Sequence, residues 1–342
     1  MRPGTPVVVA SGSGLGTLKK MDAVRRIVRS WRELTSAATS RRTVVACSGG
    51  ADSGALALAL AAAGRGLLIA HVVHDLRPEP VALADRDVAR ALAERLGLPF
   101  VEARVRCRTG GNLEAAARRA RHRALADIAI AHHAPFVATA HHADDQLETM
   151  VMAMIRGAGP AGLAGVAPSR SLAPGVTLIR PMLTVGRADA EAICAAGAFR
   201  WAIDLSNADT TLARAALRHG PIADIARARP GAAARASRAA DHLRDASALV
   251  DQRVHDVFGD RCTWPRESLR AETALVVGAG LRRAALRLAG GRGADRLGSR
   301  VVDSAVRAAR DDSTEPRSIE WRLRGTRVIF TVRAREVRVE RA

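Results

Sequence analysis

Six consecutive residues, Ser48, Gly49, Gly50, Ala51, Asp52 and Ser53, form the most specific chemical pattern in the chain. Two glycines between two serines let successive backbone N–H groups converge on an anion, and both hydroxyls add donors. An apolar run at 43–47 precedes the pattern and a helix-forming run follows it, so a helix dipole would add to the attraction. These features predict a phosphate cradle. No Gly-Lys-Ser/Thr follows, and the only lysines are Lys19 and Lys20, so a Walker-type grip on a terminal phosphate is excluded. Pyrophosphate as a leaving group suits such a cradle, and Asp52 inside an anion-binding loop makes sense as a ligand of Mg²⁺ bridging the phosphates.

A second cluster, AHHADDQLET, occupies 140–149. With a helix starting near Asp144, the carboxylates of Asp145 and Glu148 fall at i and i+3 on one face, a pair that can hold a metal or an ammonium-bearing substrate. Asp144 itself reads as a helix cap. His141, His142, Asp144 and Glu148 contain an HxxD-like spacing that no further clustered ligand completes, which argues against a dedicated transition-metal site. In HVVHDLRP (71–78), His71 can border a nucleotide base, although a lone histidine at a strand end is more often structural. In NLEAAARRARH (112–122), Glu114, Arg118 and Arg121 lie within two helical turns, and the two arginines could clamp phosphate. Arg119 and Arg123 fit a solvated face. The earlier GSGLG (12–16) lacks the full dinucleotide pattern and reads as a leader.

Positioning these groups requires elements. Short apolar runs at 43–47, 67–73, 100–105, 136–140 and 176–179 alternate with helical periodicity at 53–63, 81–96, 113–132 and 145–155. That alternation predicts an α/β fold, a doubly wound parallel sheet of about five strands whose carboxyl edge carries both clusters. The Gly/Pro-rich stretch 157–174 reads as a loop or lid. From about Pro221 the texture changes to Arg/Ala-rich helices, ending in alternating runs at 318–323 and 327–339 that read as a hairpin. The expected organisation is a basic N-terminal arm or helix (1–42), a catalytic domain (43–220) and a smaller, mainly helical basic domain (221–342).

Composition bounds the partners. At 342 residues and 48% hydrophobic, the chain can bury a sizeable core, which excludes global disorder. The longest apolar stretch, 55–63, is far short of the roughly 20 residues needed to span a bilayer, so no membrane partner is expected. The first sixteen residues lack the apolar core of a secretory signal, and a cytoplasmic location is expected. Cys47, Cys107, Cys194 and Cys262 form no CxxC pair, which argues against structural zinc, iron–sulfur and a disulfide framework. Net charge is +19 and lies at the flanks: 9 basic against 2 acidic residues in 1–42 and 27 against 17 in 205–342, with near balance between. A polyanion gripped by the flanking segments follows, and nucleic acid is the natural one.

Together these segments resemble the tRNA(Ile)-lysidine synthase family of the PP-loop (N-type) ATP pyrophosphatase superfamily. The likeness is carried, in family order over 43–218, by SGGADS, HVVHDLRP, NLEAAARRARH, AHHADDQLETMVMAMIRGAGPAGLAG (140–165), LIRPML (178–183) and WAIDLSNADTTLARAALR (201–218). It implies an adenine nucleotide α-hydrolase-like fold and ATP-dependent adenylation of the wobble cytidine in the CAU anticodon of tRNA(Ile). Free L-lysine would then displace AMP, leaving lysidine, AMP and pyrophosphate. ATP and Mg²⁺ are the implied cofactors, with residues 48–53 and His71 at the nucleotide and Asp52 on the metal. Asp145, Glu148 and Arg214 are implied around the reacting lysine, and Arg118 near the nucleotide or transfer site. The chain departs from the family pattern at Val73 (usually Asn), Asp75 (usually Gly), His122 (commonly Tyr) and Ala215 (usually Asn). The further C-terminal domain of longer members is expected to be absent. A homodimer is compatible with the sequence. Alternatives are a PP-loop tRNA thiolase, whose paired cysteines or iron–sulfur cluster this spacing does not supply, and a non-catalytic PP-loop RNA-binding protein, which would have no use for Asp52, Asp145 and Glu148.

Overall fold

The computed structural model of the chain describes residues 13–36, 38, 40–64, 66–76, 78–106, 113–201, 216–218 and 220–342. Contacts divide it into two units, one drawn from Met1–Val151 and Gly165–Arg238, the other from Met152–Ala164 and Ala239–Ala342. The boundary anticipated near 220 therefore precedes the break, which falls at Arg238, inside the helix Ala232–Phe258.

The first unit is built on a six-stranded sheet ordered β3-β2-β1-β4-β6-β5, from β1 (Thr43–Ala46), β2 (Leu67–His74), β3 (Phe100–Val105), β4 (Phe136–Ala138), β5 (Ser169–Ala173) and β6 (Val176–Ile179). The pairs among β1, β2, β3, β4 and β6 are parallel, and β5 adds an antiparallel edge. Because successive strand side chains point to opposite faces, a sheet covered on both sides needs apolar residues at both parities. Val45, Ile69, Phe136 and Ile179 enter one core, and Val44, Leu68, Val137 and Val176 enter the other. The first core is covered by α1 (Ser13–Lys20), α2 (Asp22–Leu34), α3 (Ala51–Ala61), α4 (Glu79–Leu96) and α8 (Arg187–Ala196), the second by α5 (Leu113–Ala131).

The N-terminal basic segment contributes to this core. In α2 the residues Ala23, Val24, Ile27, Val28 and Trp31 form a buried stripe at helical spacing, while Arg25, Arg29 and Arg32 stay exposed. Trp31 Nε1 donates to Thr43 Oγ1 at 3.1 Å, tying the helix to the start of β1. The stretch read as a loop contains the short helix α7 (Pro160–Leu163) and β5, whose register with β6 shifts between Ser171 and Ala173.

The second unit joins helices to a four-stranded antiparallel sheet ordered β7-β10-β9-β8, from β7 (Thr263–Pro265), β8 (Arg317–Leu323), β9 (Thr326–Val332) and β10 (Glu336–Arg341). The anticipated hairpin is thus three strands, with a fourth supplied from sequence well upstream. Phe258, Trp264, Trp321 and Phe330 fill the core beneath it. Arg266, 1% exposed, donates to the carbonyls of Ala308, Ala309 and Asp311 and to Asp311 Oδ1, so a cation closes the C-terminus of the helix Ser299–Arg310.

Candidate active site

The strand order reverses at β1, because the chain moves from β1 outward through β2 and β3 and then returns to place β4 on the other side of β1. Loops leaving the carboxyl ends of two such neighbours diverge and open a crevice, where folds of this kind bind ligands. Residues 48–53 leave β1, and 139–145 leave β4, so the topology brings the two chemical clusters together.

In the β1–α3 loop, Gly49 has φ +87°, and a Cβ there would meet the Asp85 carbonyl at 2.6 Å, so only glycine fits. Ser48 N donates to Ser53 Oγ at 3.1 Å, and Ser53 Oγ donates to Gly50 O at 3.1 Å. The Ser48 hydroxyl also lies 3.1 Å from Ser53 Oγ. Among the described residues no side chain caps α3, so its N-terminal amides can face an anion. His71 is buried, and its Nδ1 meets the carbonyl of Cys47 at 2.8 Å. Burial lowers its pKa, and the carbonyl fixes the tautomer with the proton on Nδ1. The geometry therefore shows His71 bracing the strand end from which the cradle springs.

The β4–α6 turn builds the acid cluster. In α6 (Ala143–Ile155), Asp145 Oδ2 accepts from His142 N at 3.0 Å, reaching back over the first turn. Asp144 Oδ2 accepts from Arg187 N at 2.8 Å and so caps α8. His142, 1% exposed, stands among three carboxylates: its Nε2 is 3.4 Å from Asp52 and 3.8 Å from Asp145, and its Nδ1 is 3.4 Å from Asp144. Burial works against its charged form, but Asp144 and Asp52, then Asp145, push its pKa up to about 10. Burial likewise opposes ionisation of Asp52, yet His142, Arg187 and Arg218 hold its carboxyl below the ordinary range.

Glu148, 2% exposed, receives a bidentate grip from Arg218, Nε to Oε1 at 2.6 Å and Nη2 to Oε2 at 3.0 Å. Arg218 Nη2 also lies 3.7 Å from Asp145 Oδ1. The result is one connected group: Asp52, His142 and Asp145, then Arg218 and Glu148. Gln146 steadies the helix beneath it by closing two hydrogen bonds with the backbone of Val166.

The structure thus joins Asp52, Asp145 and Glu148. Arg118 lies exposed on α5, and its charge is felt by His122 and Arg180 in a separate basic group. Arg214 lies outside the described residues. Sequence reasoning gave no role to His142 or Arg218. A buried His next to paired Asp was visible as a spacing; Arg218 is 70 positions from its partner and one of 53 basic residues. For Mg²⁺, the fitting observation is Asp52 Oδ1, buried without a hydrogen-bond partner among the described residues. No group of three or more His, Cys, Asp or Glu there is arranged to hold a metal, so an ion at Asp52 would draw most of its oxygens from phosphates and water.

A family model described as a PP-loop domain matches residues 23–224. A curated relative named tRNA(Ile)-lysidine synthase, from Geobacter sulfurreducens, is 38% identical over 253 residues, 71% of this chain and 52% of its own length. Another of that name, from Methylobacterium nodulans, is 41% identical over 59% of each chain. The chain spans about half the length of the curated relatives it matches. Among solved structures, the U34-tRNA thiolase NcsA from Methanococcus maripaludis, described with its [4Fe-4S] cluster, is similar in fold. Its TM-score is 0.53 at 17% identity, covering 66% of this chain and 81% of that one.

Proposed function

The chain belongs to the PP-loop domain family, and from its likeness to relatives named tRNA(Ile)-lysidine synthase we propose that it ligates L-lysine to C2 of the wobble cytidine in the CAU anticodon of tRNA(Ile), at the expense of ATP. One observation carries the reading: a lysine-free phosphate cradle and a buried acid group open from adjacent parallel strands, β1 and β4. In the first step the cytidine O2 attacks the α-phosphorus of ATP, and the bond to pyrophosphate breaks. The loop amides of 49–53 and the N-terminus of α3 stabilise the departing charge. Mg²⁺ held at Asp52 would supply further charge neutralisation there.

In the second step the lysine ε-amine attacks C2, AMP leaves with the oxygen, and the amine gives up a proton. Asp145 and Glu148 are the carboxylates placed to receive an ammonium and take that proton, Arg218 yielding its position on Glu148 as lysine enters. Arg214 is proposed beside the lysine and Arg118 on the transfer-site side, with His122 and Arg180. The cysteines Cys47 and Cys194 give no support to sulfur transfer: both are buried, and burial raises both thiols, that of Cys194 to about 12. Purified protein incubated with ATP, Mg²⁺, labelled lysine and tRNA bearing a CAU anticodon should incorporate lysine with equimolar AMP and pyrophosphate. ATP cleavage dependent on tRNA but without lysine incorporation would overturn the assignment.

A further inference from the structure

The first half of α5 and the β5–β6 pair bring a second chemical group together at the same sheet edge. Arg118, Arg121 and His122 lie at i, i+3 and i+4 of α5 and share a face. Arg170 on β5 donates from Nη2 to His122 Nδ1 at 2.9 Å; since a guanidinium has no acceptor, that imidazole nitrogen is unprotonated. Arg180, directly after β6, is only 3% exposed. Its backbone N donates to Pro168 O and its Nη1 to Ala167 O, which holds it beside the start of β5. Its Nε is buried without a partner among the described residues.

A buried guanidinium ordinarily faces a carboxylate. Here burial lowers the Arg180 pKa to about 10, and the charges acting on it, Arg170 and Arg118, push in the same direction. Burial followed by Arg170, Arg118, Arg121 and Arg180 drives His122 down to about 4. Like charges gathered around an orphaned buried donor call for an anion between them.

We propose that Arg170, Arg180 and the Arg118–Arg121–His122 face of α5 bind a backbone phosphodiester of the RNA substrate, an inference that rests on the function proposed above. Strand order separates this group from the nucleotide cradle: β4 lies between β1 and β6, and at about 4.8 Å per strand β6 is about 10 Å and β5 about 14 Å from β1. A triphosphate seated in the β1 loop is served there by its own amides and hydroxyls. A polynucleotide presents phosphates along its length and can be held at β5–β6 while one base reaches the acids after β4.

The test is binding of tRNA by the full chain across a salt series, with ATP binding measured in parallel. Arg170→Ala, on an exposed edge strand, should weaken tRNA binding about tenfold and lower the salt slope by about 0.7 to 0.9. Arg180→Lys, which keeps the charge and loses Nε, should weaken binding while leaving the slope. ATP affinity should hold in both, and the His122 pKa followed by NMR should rise when tRNA binds. Wild-type tRNA affinity and slope in folded Arg170→Ala would overturn the site, and a matching loss of ATP affinity would reassign it to the nucleotide. A wild-type chain that binds tRNA through these residues yet never ligates lysine would overturn the function and leave the phosphodiester site standing.

Discussion

At Asp52 one carboxylate meets two demands. Its Oδ2 faces the buried imidazole of His142 at 3.4 Å, and its Oδ1 is buried without a partner among the described residues. An unpaired buried oxygen is costly unless a ligand completes it, which marks the residue for chemistry more than for folding. Asp52→Ala should fold and lose turnover by at least about 10²-fold, equivalent to ~3 kcal/mol of transition-state stabilisation. Pyrophosphate release by the folded variant at a near-normal rate would remove Asp52 from the mechanism. The Glu148–Arg218 pair makes a different prediction. Arg218→Met leaves Glu148 buried against its lost partner and should cost about 3 kcal/mol in urea unfolding, whereas adding Glu148→Gln should restore more than half of it. A double-variant cost equal to the sum of the two single-variant costs would show that the pair is not coupled. The acids were legible because i, i+3 spacing is a local property of α6; their cationic partner was not, because nothing local to Arg218 distinguishes it from neighbouring arginines.

At the scale of elements, two glycines flanking the first turn of α3 should behave in opposite ways. Gly49 needs φ +87° and contacts the Asp85 carbonyl, so Gly49→Ala deforms the cradle itself. About 1 to 2 kcal/mol of left-handed strain should appear chiefly as an ATP affinity lowered about tenfold or more. Gly54 lies inside α3, where a Cβ would come 2.1 Å from the ring of buried Phe199, so Gly54→Ala should lower the melting temperature more than Gly49→Ala does. Unchanged ATP affinity in Gly49→Ala would sink the loop as the phosphate site. The parallel strands β1, β2, β4 and β6 could be read from sequence because they are largely buried on both faces and therefore largely apolar, whereas the edge strand β3 (FVEARV) is only half-buried and carries two charges. β5 could not: as an exposed edge it reads SRSLA and sits within Gly/Pro-rich sequence. β7 is three residues ending in Pro265, and the turn between β9 and β10, Arg333 to Arg335, holds no Gly, Pro or Asn to mark it, so three strands looked like two.

Across the whole molecule, charge offers a test of its own. The 27 basic residues of 205–342 outnumber 17 acidic ones, but the structure shows that they are not equivalent. Arg266 is buried beneath a helix end, and Arg287 donates to Asp260 Oδ1 at 2.9 Å and to Arg261 O at 2.6 Å, so both hold the fold. Arg283, Arg300 and Arg307, by contrast, are exposed on the helices Ala274–Leu288 and Ser299–Arg310, whose inward faces fill the core of the second unit. Reversal of these three exposed residues to Glu should spare that core. If this unit contributes phosphate contacts, the triple variant should bind tRNA more weakly and lower the salt slope by about 2, at 0.7 to 0.9 per contact. ATP binding, a property of the first unit, should not change. A folded triple variant with the wild-type slope would assign the Arg excess of this unit to composition alone. The RNA footprint would then rest on the first unit, where Arg170 and Arg180 already gather charge around an orphaned donor.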